Sequence, residues 1–286
     1  MIDSFIFLNY NGTVLEMNED TIPFTKFSMD VDIDNNERRR MQEHGIWPSR
    51  TLFGKRKISI EGDLLAADYA PLGELRLALM SALVPTEDND AAGQVEIQFT
   101  GMPEPFVAEV NLDGYPELPI EAVTGAWNNF QLNLKTFDPW FLGKSTFTRT
   151  ATTSLTPRYG RTYNKTYNYS YADSGFVGNI IQASNIGNWP SYPVVTFYGP
   201  GLGPEIWSGS NRLQFRSLFL DNGETLTVDF RDRTAIKNDG TDLYNTLTSR
   251  QWFKLPSGKV SPVELHWYLP GNGAKADIVW HNAWMV

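Results

Sequence analysis

From Phe130 to Phe137 the chain reads Phe-Gln-Leu-Asn-Leu-Lys-Thr-Phe, with apolar and polar residues alternating at period two. Successive side chains of a β-strand point to opposite faces, so this pattern predicts a half-buried strand over Asn129–Phe137. Similar short alternations, bounded by turn residues, recur at Ser4–Leu8, Lys57–Gly62, Gln94–Phe99 and Phe106–Leu112. After residue 143 they return at Ser191–Tyr198, Arg212–Leu220, Glu224–Phe230, Val263–Tyr268 and Asp277–Trp284. Asp221-Asn222-Gly223-Glu224 and Asn238-Asp239-Gly240 read as hairpin turns. A chain built this way is mainly β.

One segment departs from that period. Leu72, Leu75, Leu79 and Leu83 follow Pro71 at helical spacing, and Pro85 ends the run. The leucines predict an apolar helix face packed on a sheet. Between the early strands, residues 34–57 form a long polar excursion containing Arg38-Arg39-Arg40, Trp47-Pro48 and Lys55-Arg56-Lys57. A stretch of that length without obvious structure is usually functional or disordered. Near Asp138-Pro139-Trp140-Phe141-Leu142-Gly143 the composition shifts toward Thr and Ser, and then to Tyr159, Tyr163, Tyr167, Tyr169 and Tyr171. This predicts two domains, 1–143 and 144–286. No fixed-period repeat is visible, which argues against solenoids and propellers.

Charge divides at the same place. Residues 1–143 hold 10 Lys and Arg against 23 Asp and Glu, net −13; residues 144–286 hold 14 against 10, net +4. An acidic first half repels a polyanion, so duplex DNA is not an expected ligand. Cysteine is absent, which removes disulfide frameworks, thiolate metal sites and cysteine nucleophiles. No apolar run is long enough for a helix to cross a bilayer. Met1-Ile2-Asp3-Ser4 lacks the basic and apolar regions of a signal peptide, so folding in a cytoplasm is expected.

The search for chemistry is mostly negative. His44, His266 and His281 lie far apart in sequence, and the last two adjoin Trp267 and Trp280 in predicted strands. They read as ordinary strand residues rather than metal ligands or a general base. Asp30-Val31-Asp32-Ile33-Asp34 opens like a calcium loop, but Asn35 and Met41 stand where the turn glycine and bidentate glutamate belong. It reads instead as a strand with a solvated carboxylate face. Gly199-Pro200-Gly201-Leu202-Gly203-Pro204 lacks phosphate-loop spacing and is expected to be a loop. No cofactor, metal or catalytic residue is expected. Glycoside hydrolysis needs only two carboxylates, and 33 acidic residues cannot be sorted without a fold. Tyr163, Tyr167, Tyr169 and Tyr171 suit one face of an extended segment, for packing, inter-protein contact or stacking on sugar rings.

Taken in order, several segments resemble the distal tail protein family of long-tailed, non-contractile bacteriophages, often called Dit. In the first half they are Gly54-Lys55-Arg56-Lys57-Ile58-Ser59-Ile60-Glu61-Gly62, the helix from Pro71, and Asp138-Pro139-Trp140. In the second half they are Tyr192–Gly199, Gly223–Asp229 and Trp252-Phe253-Lys254-Leu255-Pro256-Ser257-Gly258. The resemblance implies a β-sandwich-like ring domain with one helix and a long arm, followed by a galectin-like β-sandwich. It also implies a homohexameric ring in the virion, at the tail tip, assembled in the host bacterial cytoplasm. Implied partners are the tail tube protein, the tail-tip or baseplate proteins, and a receptor-binding protein or host glycan. DNA passes through the lumen without specific binding. Arg38, Arg39, Arg40, Trp47, Lys55, Arg56 and Lys57 combine arginine with an aromatic residue, a common interface composition, and are expected at the ring interface. The competing expectation is a carbohydrate-binding adhesion module acting on host-surface glycans.

Overall fold

The computed structural model describes residues 2–8, 14–17, 22–35, 38–39, 46–47, 51–83, 93–119, 127–152 and 179–286. The chain divides into two compact units: Met1–Lys144 with Trp284–Val286, and Ser145–Ala283. Both are built mainly of antiparallel strands, as the alternating sequence requires.

The first unit contains β1 (Ile2–Leu8), β2 (Val14–Met17), β3 (Phe24–Asn35), β4 (Arg38–Arg39), β5 (Ile46–Trp47), β6 (Thr51–Leu65), helix α1 (Tyr69–Leu83), β7 (Gly93–Phe99), β8 (Phe106–Leu112), β9 (Trp127–Thr136) and the start of β10 (Phe141–Thr152). Pairing runs β3-β6-β9-β8-β7-β1-β2. Along β6, Ile58, Ile60 and Leu64 are fully buried and Gly62 is buried with them, while Ser59, Glu61 and Asp63 on the other face are partly exposed. Ile58, Ile60 and Leu64 meet Phe130, Leu132 and Leu134 of β9 in one core. Phe137, included in the expected strand, lies beyond its end and is 54% exposed. Strand parity gives the inward place to Thr136, whose hydroxyl donates to the Asp138 carbonyl.

Helix α1 begins two residues before Pro71, which is tolerated because the first-turn N–H groups of a helix have no intrahelical acceptor. Leu72, Leu79, Ala82 and Leu83 are buried, and Leu75 is half-buried. Arg76 anchors the helix to the sheet: its guanidinium donates to Asn128 Oδ1 (3.1 Å) and the Leu118 carbonyl (3.3 Å).

The expected structureless stretch to Lys57 is corrected. Strand β6 starts at Thr51, so Lys55, Arg56 and Lys57 are strand residues, and Arg38 and Arg39 pair with Trp47 and Ile46. Alternation is hidden there because charged residues occupy both faces of the strand.

The second unit contains the rest of β10, β11 (Asn179–Asn185), β12 (Val194–Tyr198), β13 (Gly201–Ser208), β14 (Asn211–Gln214), β15 (Phe219–Leu220), β16 (Thr225–Asp229), β17 (Thr234–Lys237), β18 (Ser249–Arg250), β19 (Lys259–Pro270) and β20 (Lys275–Trp284), whose last residue belongs to the first unit. One sheet runs β17-β16-β12-β20; the other runs β11-β19-β13-β14-β18, with β15 also on β13. Val195, Phe197, Leu226, Val228 and Ile278 of the first meet Ile206, Leu213, Val263, Leu265 and Trp267 of the second in one core. Phe197 packs edge-on against Trp267, with centroids 5.4 Å apart. This is a β-sandwich.

Two local expectations change. Gly201-Leu202-Gly203-Pro204 is not a loop but the start of β13, running beside Trp267. A Cβ on Gly201 would lie 2.5 Å from the Trp267 ring, so this strand needs glycine for close approach. Asp221–Glu224 does form a turn, with the Glu224 N–H donating to the Asp221 carbonyl (3.1 Å). It joins β15 to β16, which lie in different sheets, so it is not a hairpin.

Candidate interaction surfaces

The expected interface residues separate by side-chain direction. Lys55 and Lys57 are exposed, whereas Arg56 between them is 1% exposed. Strand alternation turns it inward. Its Nε and Nη2 donate to the Pro139 carbonyl (3.0 and 2.7 Å), and Nη1 donates to the Val286 carbonyl (2.6 Å). Its guanidinium also lies 4.9 Å from the centre of the Phe141 ring. Burial lowers the pKa of this group from its ordinary value. Its side chain is therefore occupied within the first unit and offers nothing to a neighbouring copy. Arg38, Arg39 and Trp47 are placed by backbone in the β4–β5 pair. Arg40, Tyr163, Tyr167, Tyr169 and Tyr171 lie outside the described residues.

Arg56 also explains why the final residues belong to the first unit. Beside it, Trp284 packs on Phe106 (5.5 Å between centroids), and its indole N–H donates to Glu104 Oε1 (3.4 Å). No composition shift marks this return of the chain.

The strand with the carboxylates is present: Asp30, Asp32 and Asp34 of β3 are all exposed. Among the described residues, no three His, Cys, Asp or Glu side chains are grouped to hold a metal ion. His266 and His281 are strand residues, and His266 Nε2 lies 3.0 Å from Glu264 Oε2. Next to them, buried Glu205 accepts from Trp207 Nε1 (3.1 Å) and Gln214 Nε2 (3.0 Å).

Sequence reading missed an apolar surface beside α1. Leu65, Ala66, Ala67, Pro71, Glu74, Leu75 and Ala78 line a groove of 630 Å³. Nearby, Tyr69 and Leu77 are 67% and 72% exposed. The available signal was that Glu74 and Arg76 are the only charged residues in this helix.

A mainly β chain of two units, with one helix among the described residues of the first and a β-sandwich as the second, defines a recognisable fold. It is the fold of the Dit protein (gp 19.1) of phage SPP1, described as a paradigm of the hub adsorption apparatus in phages infecting Gram-positive bacteria: TM-score 0.61 at 15% identity, covering 98% of both chains. A chain of the phage P2 baseplate, in its activated conformation with Ca, matches with TM-score 0.52 at 10% identity, again over 98% of both chains. No family model and no curated protein sequence matches.

Proposed function

We propose that this protein is a structural component of a phage tail, acting by shape rather than by turnover. Six copies close into a ring joining the tail tube to the tip or baseplate proteins. The observation that carries this reading is the likeness to the fold of SPP1 Dit over 98% of both chains. The charge distribution supports it: an acidic first half suits a lumen through which DNA slides without adhering. The second unit, with its positive balance, is available to neighbouring tail proteins, a receptor-binding protein or a host glycan. Assembly takes place in the host bacterium, and the product is a virion part.

Light scattering on the purified protein tests the oligomer. Six times 32.4 kDa gives a 194 kDa particle. Deleting residues 36–50, the segment between β3 and β6 that carries Arg38, Arg39, Arg40 and Trp47, should abolish the particle and leave a folded monomer. An intact ring after the deletion overturns the role given to that segment. Virions that grow complete, infectious tails without the protein overturn the connector reading itself.

A further inference from the structure

Strand β10 has two neighbours in its sheet, β20 on one side and β8 on the other. The second pairing is brief. It runs through Leu142↔Val107 and Gly143↔Phe106, and the Lys144 N–H closes it on the Pro105 carbonyl (2.9 Å). From there to Thr152, the edge of β10 turned away from β20 has no partner strand among the described residues. In a β-strand the N–H and C=O of one residue point to the same side, and those of the next residue to the other. Because the Lys144 N–H points toward β8, the backbone groups of Thr146, Thr148 and Thr150 line the same open edge. All three residues are exposed.

An open edge is a template for another strand, and proteins commonly blunt it with proline, a bulge or charge. Between Lys144 and Thr152 there is no proline and no carboxylate, while Thr146, Phe147, Thr148, Thr150 and Thr152 favour extended backbone. Two cations stand in this stretch. Lys144 is already paired with Glu96 (2.8 Å). Arg149 is exposed, and its Nη1 donates to the Thr148 carbonyl (3.2 Å), an acceptor on the open edge. This is a weak guard, since a guanidinium bonds a carboxylate more strongly than a neutral carbonyl.

We infer that the open edge of β10 receives an extended, acidic segment of a partner protein by strand addition. The backbone of Thr146, Thr148 and Thr150 supplies the ladder. A carboxylate on the incoming strand draws Arg149 away from the Thr148 carbonyl and pairs with it. The net +4 of residues 144–286 favours a partner of the same sign. The site adds a docking edge to the tail role and holds whether or not six copies close into a ring.

The full chain is titrated with a fluorescent peptide that alternates Thr and Val around a central Glu. Saturable binding is expected, with hydrogen exchange slowed at the Thr146, Thr148 and Thr150 amides and unchanged at those of Phe147 and Arg149, which face β20. A peptide with Lys in place of the Glu should bind about fivefold more weakly, and Arg149→Glu should reverse that order. Thr148→Pro removes an N–H on the open edge and none from the β20 ladder, so it should abolish binding while the tryptophan emission of the folded chain is kept. The exchange pattern and the Arg149→Glu reversal decide the matter in chains that keep every backbone group. No binding at millimolar peptide, or binding that survives Thr148→Pro in the folded chain, overturns the docking edge. Equal binding of the two peptides overturns the preference for acid. Self-association that slows the same amides without peptide makes the occupant a second copy and overturns the acidic partner.

Discussion

Arg56 is the only Lys or Arg buried among the described residues, and its guanidinium donates to the backbone oxygens of Pro139 and Val286. Replacing it with Ala removes three charge-assisted hydrogen bonds. The Pro139 carbonyl loses both of its guanidinium donors, and leaving a buried acceptor unpaired costs about 1–3 kcal/mol. The partly buried Val286 carbonyl loses less, and the Phe141 contact accounts for about 0.5–2 kcal/mol more. Opposing these losses is the desolvation of a cation, which the mutant no longer bears. The net expectation for Arg56→Ala is a loss of about 2–4 kcal/mol. Arg56→Met keeps much of the stem packing and removes the charge, but still strands the Pro139 carbonyl; a loss of about 1–2 kcal/mol is expected. Urea unfolding followed by tryptophan fluorescence measures both. Hydrogen exchange should show protection lost first in β6, residues 139–141 and residues 284–286. Lys55→Ala and Lys57→Ala, on either side, should stay within about 0.5 kcal/mol of the parent. An Arg56→Met protein as stable as the parent would refute the reasoning, because the guanidinium bonds would then do no more than offset their own desolvation.

Gly187→Ala places a Cβ 1.9 Å from the Ala283 carbonyl oxygen, a backbone atom that itself accepts from the Trp189 N–H, so urea unfolding should report a loss of about 2 kcal/mol or more. Gly209→Ala meets no atom within 4 Å but sits at φ +60°, and should cost only about 1 kcal/mol; equal effects at the two sites would refute the close-approach argument. In the turn after β17, the Lys237 ammonium donates to Glu224 and lies 3.6 Å from Asp239 Oδ2, lowering Glu224 and raising Lys237 from their ordinary values. A lowered carboxylate pKa stabilises above its unfolded value and ceases to do so as pH falls through the folded one, whereas a raised lysine loses its contribution as pH rises through its folded value. Lys237→Met should therefore flatten stability against pH below about pH 4, with no change near neutrality in the slope; an unchanged acid limb contradicts the pairing.

Much of this fold was legible because alternation and burial coincide. Phe106–Leu112 appears with the expected bounds, and Leu72, Leu79 and Leu83 of the helix are buried as their spacing requires. What escaped was set by contacts distant in sequence. Nothing local to Arg56 distinguishes it from Lys55 and Lys57; its role depends on Pro139 and Val286, which lie 83 and 230 residues away. Gly201–Pro204 carries loop composition, but the Trp267 ring against which it runs makes glycine a requirement of the strand. The apolar groove was concealed for a different reason. A stripe of leucines predicts which helix face is buried, yet Leu77 and Tyr69 lie off that stripe and remain exposed.

That distinction also bears on the carbohydrate-binding alternative. A sugar site combines an aromatic platform with carboxylate, amide and guanidinium groups left available to hydroxyls. The β13–β14–β19 sheet supplies the types, since Glu205, Trp207, Arg212, Gln214, Glu264 and His266 lie on adjoining strands. Several of them contact one another. The Arg212 guanidinium lies 4.2 Å from the centre of the Trp207 ring, the His266 ring is 4.6 Å from Trp207, and buried Glu205 takes the Trp207 and Gln214 donors. Ile33 and Leu52 of the first unit, by contrast, are exposed apolar side chains, which suit contact with another protein surface better than hydrogen bonding to a sugar.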